Sequence, residues 1–368
     1  MRVLCAPDSF KGSLDANHVA QAIRRGISQS APSWIVDTHP LADGGEGTLD
    51  ILSEHGFQLE TRRVRNHQGR EIEADFGLRG KTALIESARA CGFDPAATVD
   101  DALTASSFGV GQLISQALDA GASEILLTIG GTATTDGGAG MVTALGARLL
   151  DIDGNPIQPG GKGLLELRTV DRTALDARIT ATKFRVLSDV TNPLLGPSGA
   201  AQVFAPQKGA DAGAVAMLDA GLTKLQGVLN SDRAQDVGAG AGGGLGFAAL
   251  EFLGAEVLSG AREVMRLTGF AEKLDRADLV ITGEGSFDAQ SLSGKVPHEV
   301  MVAARKKGIP VLLVCGRAAE TTSAELEALG LVHLICLTDL EPDIDRCISV
   351  AEELLFRVGN RIPSALNF

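Results

Sequence analysis

A short apolar strand running straight into a glycine-rich polar loop and then a helix recurs along this chain. Its sharpest instance is Ile125–Met141, ILLTIGGTATTDGGAGM. The apolar, β-branched start suits a buried strand, and an apolar helical pattern resumes at Met141. A loop of this kind gathers backbone N–H groups into one concavity at a helix N-terminus, where the helix dipole favours an anion such as phosphate. Gly130, Gly131, Thr132, Thr134, Asp136 and Gly137 are therefore candidate ligand contacts, with the hydroxyls and the carboxylate suited to a metal or a substrate hydroxyl. The stretch matches neither GxxxxGK[ST] nor GxGxxG, and on its own it is equally a set of tight turns.

The same unit appears twice at the N-terminus. Met1–Cys5 reads as a buried strand followed by the polar loop 6–13, with Ser13 placed to cap a helix carrying Leu14, Val19, Ile23 and Ile27. Ile35–Leu41 is a second strand, followed by Asp43-Gly44-Gly45-Glu46-Gly47 and a helix from about Thr48 to His55. Successive strand–loop–helix units predict a parallel sheet whose loops gather at the strand C-termini, where α/β proteins bind ligands. After Gly56 the rhythm changes. Glu60–Val64 and Glu71–Leu78 alternate as a hairpin around Asn66–Gly69, and Thr82–Glu86 adds a strand. A helix near Ser107–Ala120, the 125–141 unit, a strand at Phe184–Leu187 and the glycine tract 238–246 follow, the tract too short and apolar for a linker. From Leu279 the first rhythm returns: a strand to Thr282, a loop at Gly283–Asp288, and strands at Val311–Cys315 and Leu334–Leu337. Two strands before the interruption and three after it make the five of a flavodoxin-like, doubly wound parallel sheet. The expected architecture is one α/β domain built from residues 1–60 and 271–368, with a second α/β domain inserted at 61–270.

Several function classes are disfavoured. Net charge is −13, with one Trp and no Tyr, so neither phosphate attraction nor base stacking supports nucleic-acid binding. Cys5, Cys91, Cys315, Cys336 and Cys347 form no CxxC pair and read as buried thiols of a cytoplasmic protein. No signal core and no membrane-length apolar run are present. The histidines lack metal spacing, and Ser286 lacks the second glycine of a nucleophile elbow.

Polar groups instead accumulate at strand ends: Asp8, Ser9 and Lys11; Asp43, Gly44, Gly45 and Glu46; Asp189 and Asn192; Lys208; Glu284, Ser286, Asp288 and Lys295. Any one is explained as a helix cap, an Asx-turn or a solvated lysine. Together they fit phosphoryl transfer, which needs cations and N–H groups around phosphates, carboxylates for Mg²⁺, and a carboxylate to deprotonate the attacking hydroxyl. Asp189 with Asn192, on a loop stiffened by Pro193, suits a hard cation. Asp189 is the leading base or metal ligand, Asp43 and Asp288 the alternatives, and Lys11 and Lys295 the cations for phosphate or carboxylate.

The motifs APDSFKGSL (6–14), PLADGGEGT (40–48), IGGTATTDGGAGM (129–141), SDVTNPLLGPSGAA (188–201), VFAPQKGA (203–210), GAGAGGGLG (238–246) and TGEGSFDAQSLSGKVP (282–297) together resemble the bacterial glycerate kinase family, type I. The resemblance implies ATP- and Mg²⁺-dependent phosphorylation of D-glycerate, usually to 2-phosphoglycerate, and an inserted domain similar to the restriction-endonuclease fold. It leaves 3-phosphoglycerate, or a related hydroxy or sugar acid, as alternatives, and it admits a homodimer. Reactants are then expected to meet in a cleft between the domains. Thr135, Ser188 and Ser286 stand where Asn, Cys and Arg are common in that family. Two other classes fit the sequence less well. A hydroxy-acid dehydrogenase would need GxGxxG where the chain has Ala-Pro-Asp-Ser-Phe-Lys. A sugar-acid sensor would need an effector module, and no basic recognition helix is present.

Overall fold

The structure, a computed structural model, describes residues 1–288, 291–292, 294–319, 326 and 330–365. Residues 289, 290 and 293 of the 282–297 motif lie outside the described residues. Along the chain the strands are β1 (Arg2–Cys5), β2 (Ile35–Thr38), β3 (Gln58–Arg65), β4 (Glu71–Arg79), β5 (Thr82–Glu86), β6 (Glu124–Thr128), β7 (Arg148–Leu150), β8 (Thr169–Asp171), β9 (Lys183–Leu187), β10 (Glu256–Leu258), β11 (Leu279–Phe287), β12 (Val311–Ala318) and β13 (Leu331–Cys336). They fall into two compact units, Met1–Asp43 with Ser259–Phe368, and Gly44–Leu258. The sequence reading put the boundaries later, at 60/61 and 270/271. Residues 44–60 go with the second unit because the helix Thr48–Ser53 packs on β4 and β5 and buries Leu49 and Leu52. Residues 259–270 go with the first, where the helix Gly260–Thr268 packs on Val296–Lys306 and Arg262 pairs with Glu299.

In the first unit the sheet order is β13-β12-β11-β1-β2, with every pairing parallel. The apolar runs VLC, LVI and VLLVC are buried on both faces, as a helix-covered parallel sheet requires. Helices Ala16–Ser30 and Ala351–Ala365 supply Val19, Ile23, Ile27, Leu355 and Val358 to this core. The first of these helices is capped by Asp15, whose carboxylate accepts from His18 N. Ser13, the expected cap, instead donates to the Ile348 carbonyl.

A second difference bears on the site. The expected loop Gly283–Asp288 is, up to Phe287, the second half of β11, paired in register with β12 from Gly283↔Val314 to Phe287↔Ala318. The glycines are there because the strands come too close for side chains. A Cβ on Gly283 would lie 2.0 Å from the Val314 carbonyl oxygen, and one on Gly316 2.4 Å from that of Gly285.

In the second unit the six-stranded sheet has the order β10-β9-β6-β5-β4-β3. The expected hairpin is β3–β4, antiparallel, and β5, β6, β9 and β10 continue in parallel. Helices Phe108–Asp119, Ala212–Leu229 and Ala241–Leu253 contribute Leu113, Leu222 and Phe247 to the core of this unit. Gly242, Gly243 and Gly244 all have positive φ, so the glycine tract is a tight irregular turn and regular helix begins after it. Among the described residues no helix is long and apolar enough to cross a membrane. Four of the cysteines are buried; Cys336 is only half-buried, with its sulfur 3.6 Å from that of Cys315.

Candidate active site

In the first unit, β1 lies between β11 and β2, so the chain leaves β1 toward one side of the sheet and later returns on the other. Such a switch point opens a crevice at the strand C-termini. A cavity of about 360 Å³ lies at those ends, lined by Asp8–Lys11 after β1, Asp43 after β2, Glu284–Ser286 of β11 and Asp288 just after it, Gly316 and Arg317 of β12, and Thr338 after β13. Lys295, at the start of helix Val296–Lys306, adds a cation, and Ile344, Cys347 and Ile348 make an apolar side. Eight residues that the sequence nominated thus share one cavity: Asp8, Ser9, Lys11, Asp43, Glu284, Ser286, Asp288 and Lys295.

Backbone chemistry fixes the first loop. Asp8 N donates to the Gly283 carbonyl, carrying the β1–β11 ladder past Pro7, and Phe10 and Leu14 exchange two backbone hydrogen bonds. Lys11 therefore sits at the tip of a closed loop, exposed, with Nζ 3.6 Å from Asp43 Oδ2. Ser9 N donates to Asp8 Oδ1 at 2.6 Å. After β11, the Ser291 hydroxyl accepts from Asp288 N, and Asp288 Oδ1 accepts from Ser291 N.

Two of the carboxyls, Asp8 and Glu284, are far from their ordinary state. Burial, and then the charge of Asp43, push Asp8 up to about 8, with Lys11 opposing. Burial pushes Glu284 up to about 7 against the pull of Ser291 and Lys295. Glu284 Oε1 is buried without a hydrogen-bond partner among the described residues, an acceptor that calls for a proton, a cation or a ligand hydroxyl. A group of perturbed carboxyls and cations in a crevice is what an active site requires.

The remaining nominees lie in the second unit and divide in two. Gly44, Gly45, Gly130 and Gly131 belong to loops that touch: a Cβ on Gly130 would lie 2.9 Å from Gly45 Cα, and one on Gly44, where φ is +83°, 2.8 Å from the Leu187 carbonyl oxygen. Glu46 is exposed on the first of these loops, and the half-buried Asp189 and Asn192 follow β9. The Asn192 amide nitrogen donates to the Ser198 carbonyl.

The interior of the 129–141 stretch has a different duty. Thr132, Thr134 and Asp136 are buried, the last with no exposed surface. Asp136 accepts from Ser107 N and Oγ and from the N–H groups of Gly138 and Gly140. Two of the N–H groups at this helix start, which the sequence offered to an external anion, are thus taken by the chain's own carboxylate. Gly137 packs against Leu222 and Leu225. Lys208 is buried too, donating to the Thr134 carbonyl at 2.6 Å, and burial lowers it to about 8. These four, Thr134, Asp136, Gly137 and Lys208, hold the loop rather than face a solvent cavity.

Sequence reasoning missed Arg317 and Thr338. Arg317 was legible as a polar residue at a strand C-terminus, the feature that nominated residues after five other strands, but ending the strand at Cys315 hid it.

A family model described as the glycerate kinase family matches residues 3–367. Glycerate 2-kinase of Escherichia coli K12 is 42% identical over 342 residues, covering 90% of this chain and 88% of that protein. Glycerate kinase of Bacillus subtilis 168 is 42% identical over 376 residues, covering 100% of this chain and 98% of the other. A crystal structure described as glycerate kinase 2 from Salmonella typhimurium LT2 superposes with a TM-score of 0.80 at 38% identity, over 100% of this chain and 98% of that one.

Proposed function

The chain belongs to the glycerate kinase family, and from that premise we propose that it transfers the γ-phosphoryl group of ATP to the 2-hydroxyl of D-glycerate with Mg²⁺. Glycerate kinase activity, with ATP as co-substrate, follows from the family; the product, the metal and the residue roles are our reading. The observation that carries it is the switch-point cavity with its carboxylates, Lys11, Lys295 and Arg317. The name of the Escherichia coli relative supports the 2-phosphorylated product.

In this reading the acceptor oxygen attacks the γ-phosphorus, the bond to the bridging oxygen breaks, and the hydroxyl proton passes to a carboxylate. Asp189 is our first choice for that base or for the metal, with Asp43 and Asp288 as alternatives. Lys11 and Lys295 neutralise phosphate or carboxylate. Asp8, protonated up to about pH 8, donates to an anionic oxygen instead of repelling it. Mg²⁺ needs only one or two protein oxygens beside substrate phosphates. Asp189 fits, and so does Asn192, whose nitrogen is engaged by Ser198 and whose oxygen is the end suited to a cation. When bound, the ion would neutralise charge on the transferring phosphate.

We read the first unit as flavodoxin-like, supported by strand order 2-1-3-4-5 counted within it, and the second as the inserted domain related to the restriction-endonuclease fold. A coupled ADP-release assay with D-glycerate, L-glycerate, glycerol and no acceptor tests the activity, and phosphorus NMR of the product tests the position. We expect turnover with D-glycerate alone and a 2-phosphate signal. A 3-phosphate signal would overturn the regiochemistry, and glycerate binding without ADP release would favour a sensor. Asp189→Asn should lower kcat by at least ~100-fold with the fold intact; near-normal turnover would remove its assignment.

A further inference from the structure

Strands β11 and β12 are parallel and in register, so Ser286 and Arg317 are cross-strand partners. Directly paired residues carry their side chains to the same face of a sheet. Both line the cavity, and Arg317 Nε donates to Ser286 Oγ at 3.2 Å. Among the described residues no carboxylate lies within ion-pair distance of this guanidinium, whereas Lys11 is 3.6 Å from Asp43. Arginine presents five N–H donors in a rigid plane, and the Ser286 contact uses one of them. The rest form a fork matched to a carboxylate or phosphate, which it binds through two parallel hydrogen bonds. Arg317 is exposed, and among the described residues it has no ion pair that an incoming anion would have to open.

We propose that Arg317, steadied by Ser286, binds an oxyanion of a reactant in this cavity, either the carboxylate of the acceptor or a phosphate of the nucleotide. The identity of those reactants rests on the kinase reading; the anion site itself rests on the β11–β12 geometry. It makes Arg317 a specificity determinant: if the oxyanion is the carboxylate, the enzyme distinguishes a hydroxy acid from the corresponding polyol here.

Calorimetric titration of the full chain with D-glycerate and, separately, a non-hydrolysable ATP analogue, alongside steady-state KM values, tests this. Arg317→Ala should weaken one ligand by about 10- to 100-fold and leave the other within about threefold, and the ligand affected names the oxyanion. Arg317→Lys should recover only part of the loss, because an ammonium keeps the charge without the fork. The exchange Ser286→Arg with Arg317→Ser, which moves the guanidinium one strand over on the same face, should restore most of the affinity lost in Arg317→Ser alone. A purely structural defect in β12 would not be rescued that way. Arg317→Ala binding both ligands within threefold of wild type would overturn the inference, as would equal weakening of both with no rescue by the exchange. If the unaltered enzyme releases no ADP with D-glycerate, the kinase reading fails, and the nucleotide titration still decides whether Arg317 holds an anion.

Discussion

At Asp136 both carboxylate oxygens already have donors, three to Oδ2 and one to Oδ1. An amide offers one acceptor oxygen, so Asp136→Asn turns an NH₂ group toward a buried N–H. The expected result is a loss of roughly 2–4 kcal/mol of stability in urea unfolding, with KM values close to wild type. A large fall in kcat at unchanged stability would instead restore the ligand role that the sequence suggested. Asp8 is the contrasting case, buried at the rim of a cavity and raised to about 8. A carboxyl whose folded pKa lies above its unfolded value, near 4, holds a proton in the folded state that the unfolded chain has released. Its contribution therefore falls as pH rises from about 4 to about 8, since the unfolded state binds fewer protons in that window. Asp8→Asn cannot ionise. It should be more stable than wild type by roughly 1–3 kcal/mol at pH 8.5 and nearly equal to it at pH 4. Unfolding curves at those two pH values decide the matter, and equal differences at both would remove the raised pKa. Lysine shows the mirror effect at Lys208, where a lowered pKa makes stability rise between about pH 8 and the normal lysine range.

The strand pair β11–β12 sets the spacing of Glu284, Ser286 and Arg317, and glycine lets that pair continue where ordinary strands would stop. Gly316→Ala must part the strands or tilt one, because the added methyl lies 2.4 Å from the Gly285 carbonyl oxygen. We expect a loss of roughly 2–4 kcal/mol in stability together with weaker reactant binding. Gly227→Ala is the matched control. That glycine is exposed in the helix Ala212–Leu229 with nothing within 4 Å of an added Cβ, so the change should stabilise by about 0.5–1 kcal/mol and leave kinetics unchanged. The same ladder explains why the local sequence misled at this element. Gly-Glu-Gly-Ser reads as a turn because glycine is the usual turn residue. Close approach of a neighbouring strand is its other use, and that depends on Val314 and Gly316, about 30 residues away in sequence.

Across the molecule, what was legible followed local periodicity and what was not depended on distant partners. The five parallel strands of the first unit and the β3–β4 hairpin are written in runs such as VLLVC and in the Asn66–Gly69 turn. Asp8, Lys11, Asp43, Glu284 and Lys295 were legible because polar residues at successive strand ends must gather once the strands are parallel. Asp136 and Lys208 looked equally functional, since nothing near them in sequence reveals Ser107 or the Thr134 carbonyl as their partners. Chain topology supplies a last consequence. The second unit is continuous, Gly44–Leu258, and contains its whole six-stranded sheet and its own core. Expressed alone it should fold, with a single cooperative urea transition and an α/β circular dichroism spectrum. The first unit is split, and its interior strand β1 comes from the short N-terminal segment. Residues 259–368 alone hold β11–β13 with the β1-facing edge of β11 bare. They also lack Val19, Ile23 and Ile27, which cover Leu279 and Ile281 in the core. Unpaired backbone and uncovered apolar surface together should leave that fragment unfolded or aggregated until residues 1–43 are supplied in trans. If residues 259–368 unfold cooperatively by themselves at the midpoint of the full chain, the N-terminal segment is not what completes the unit.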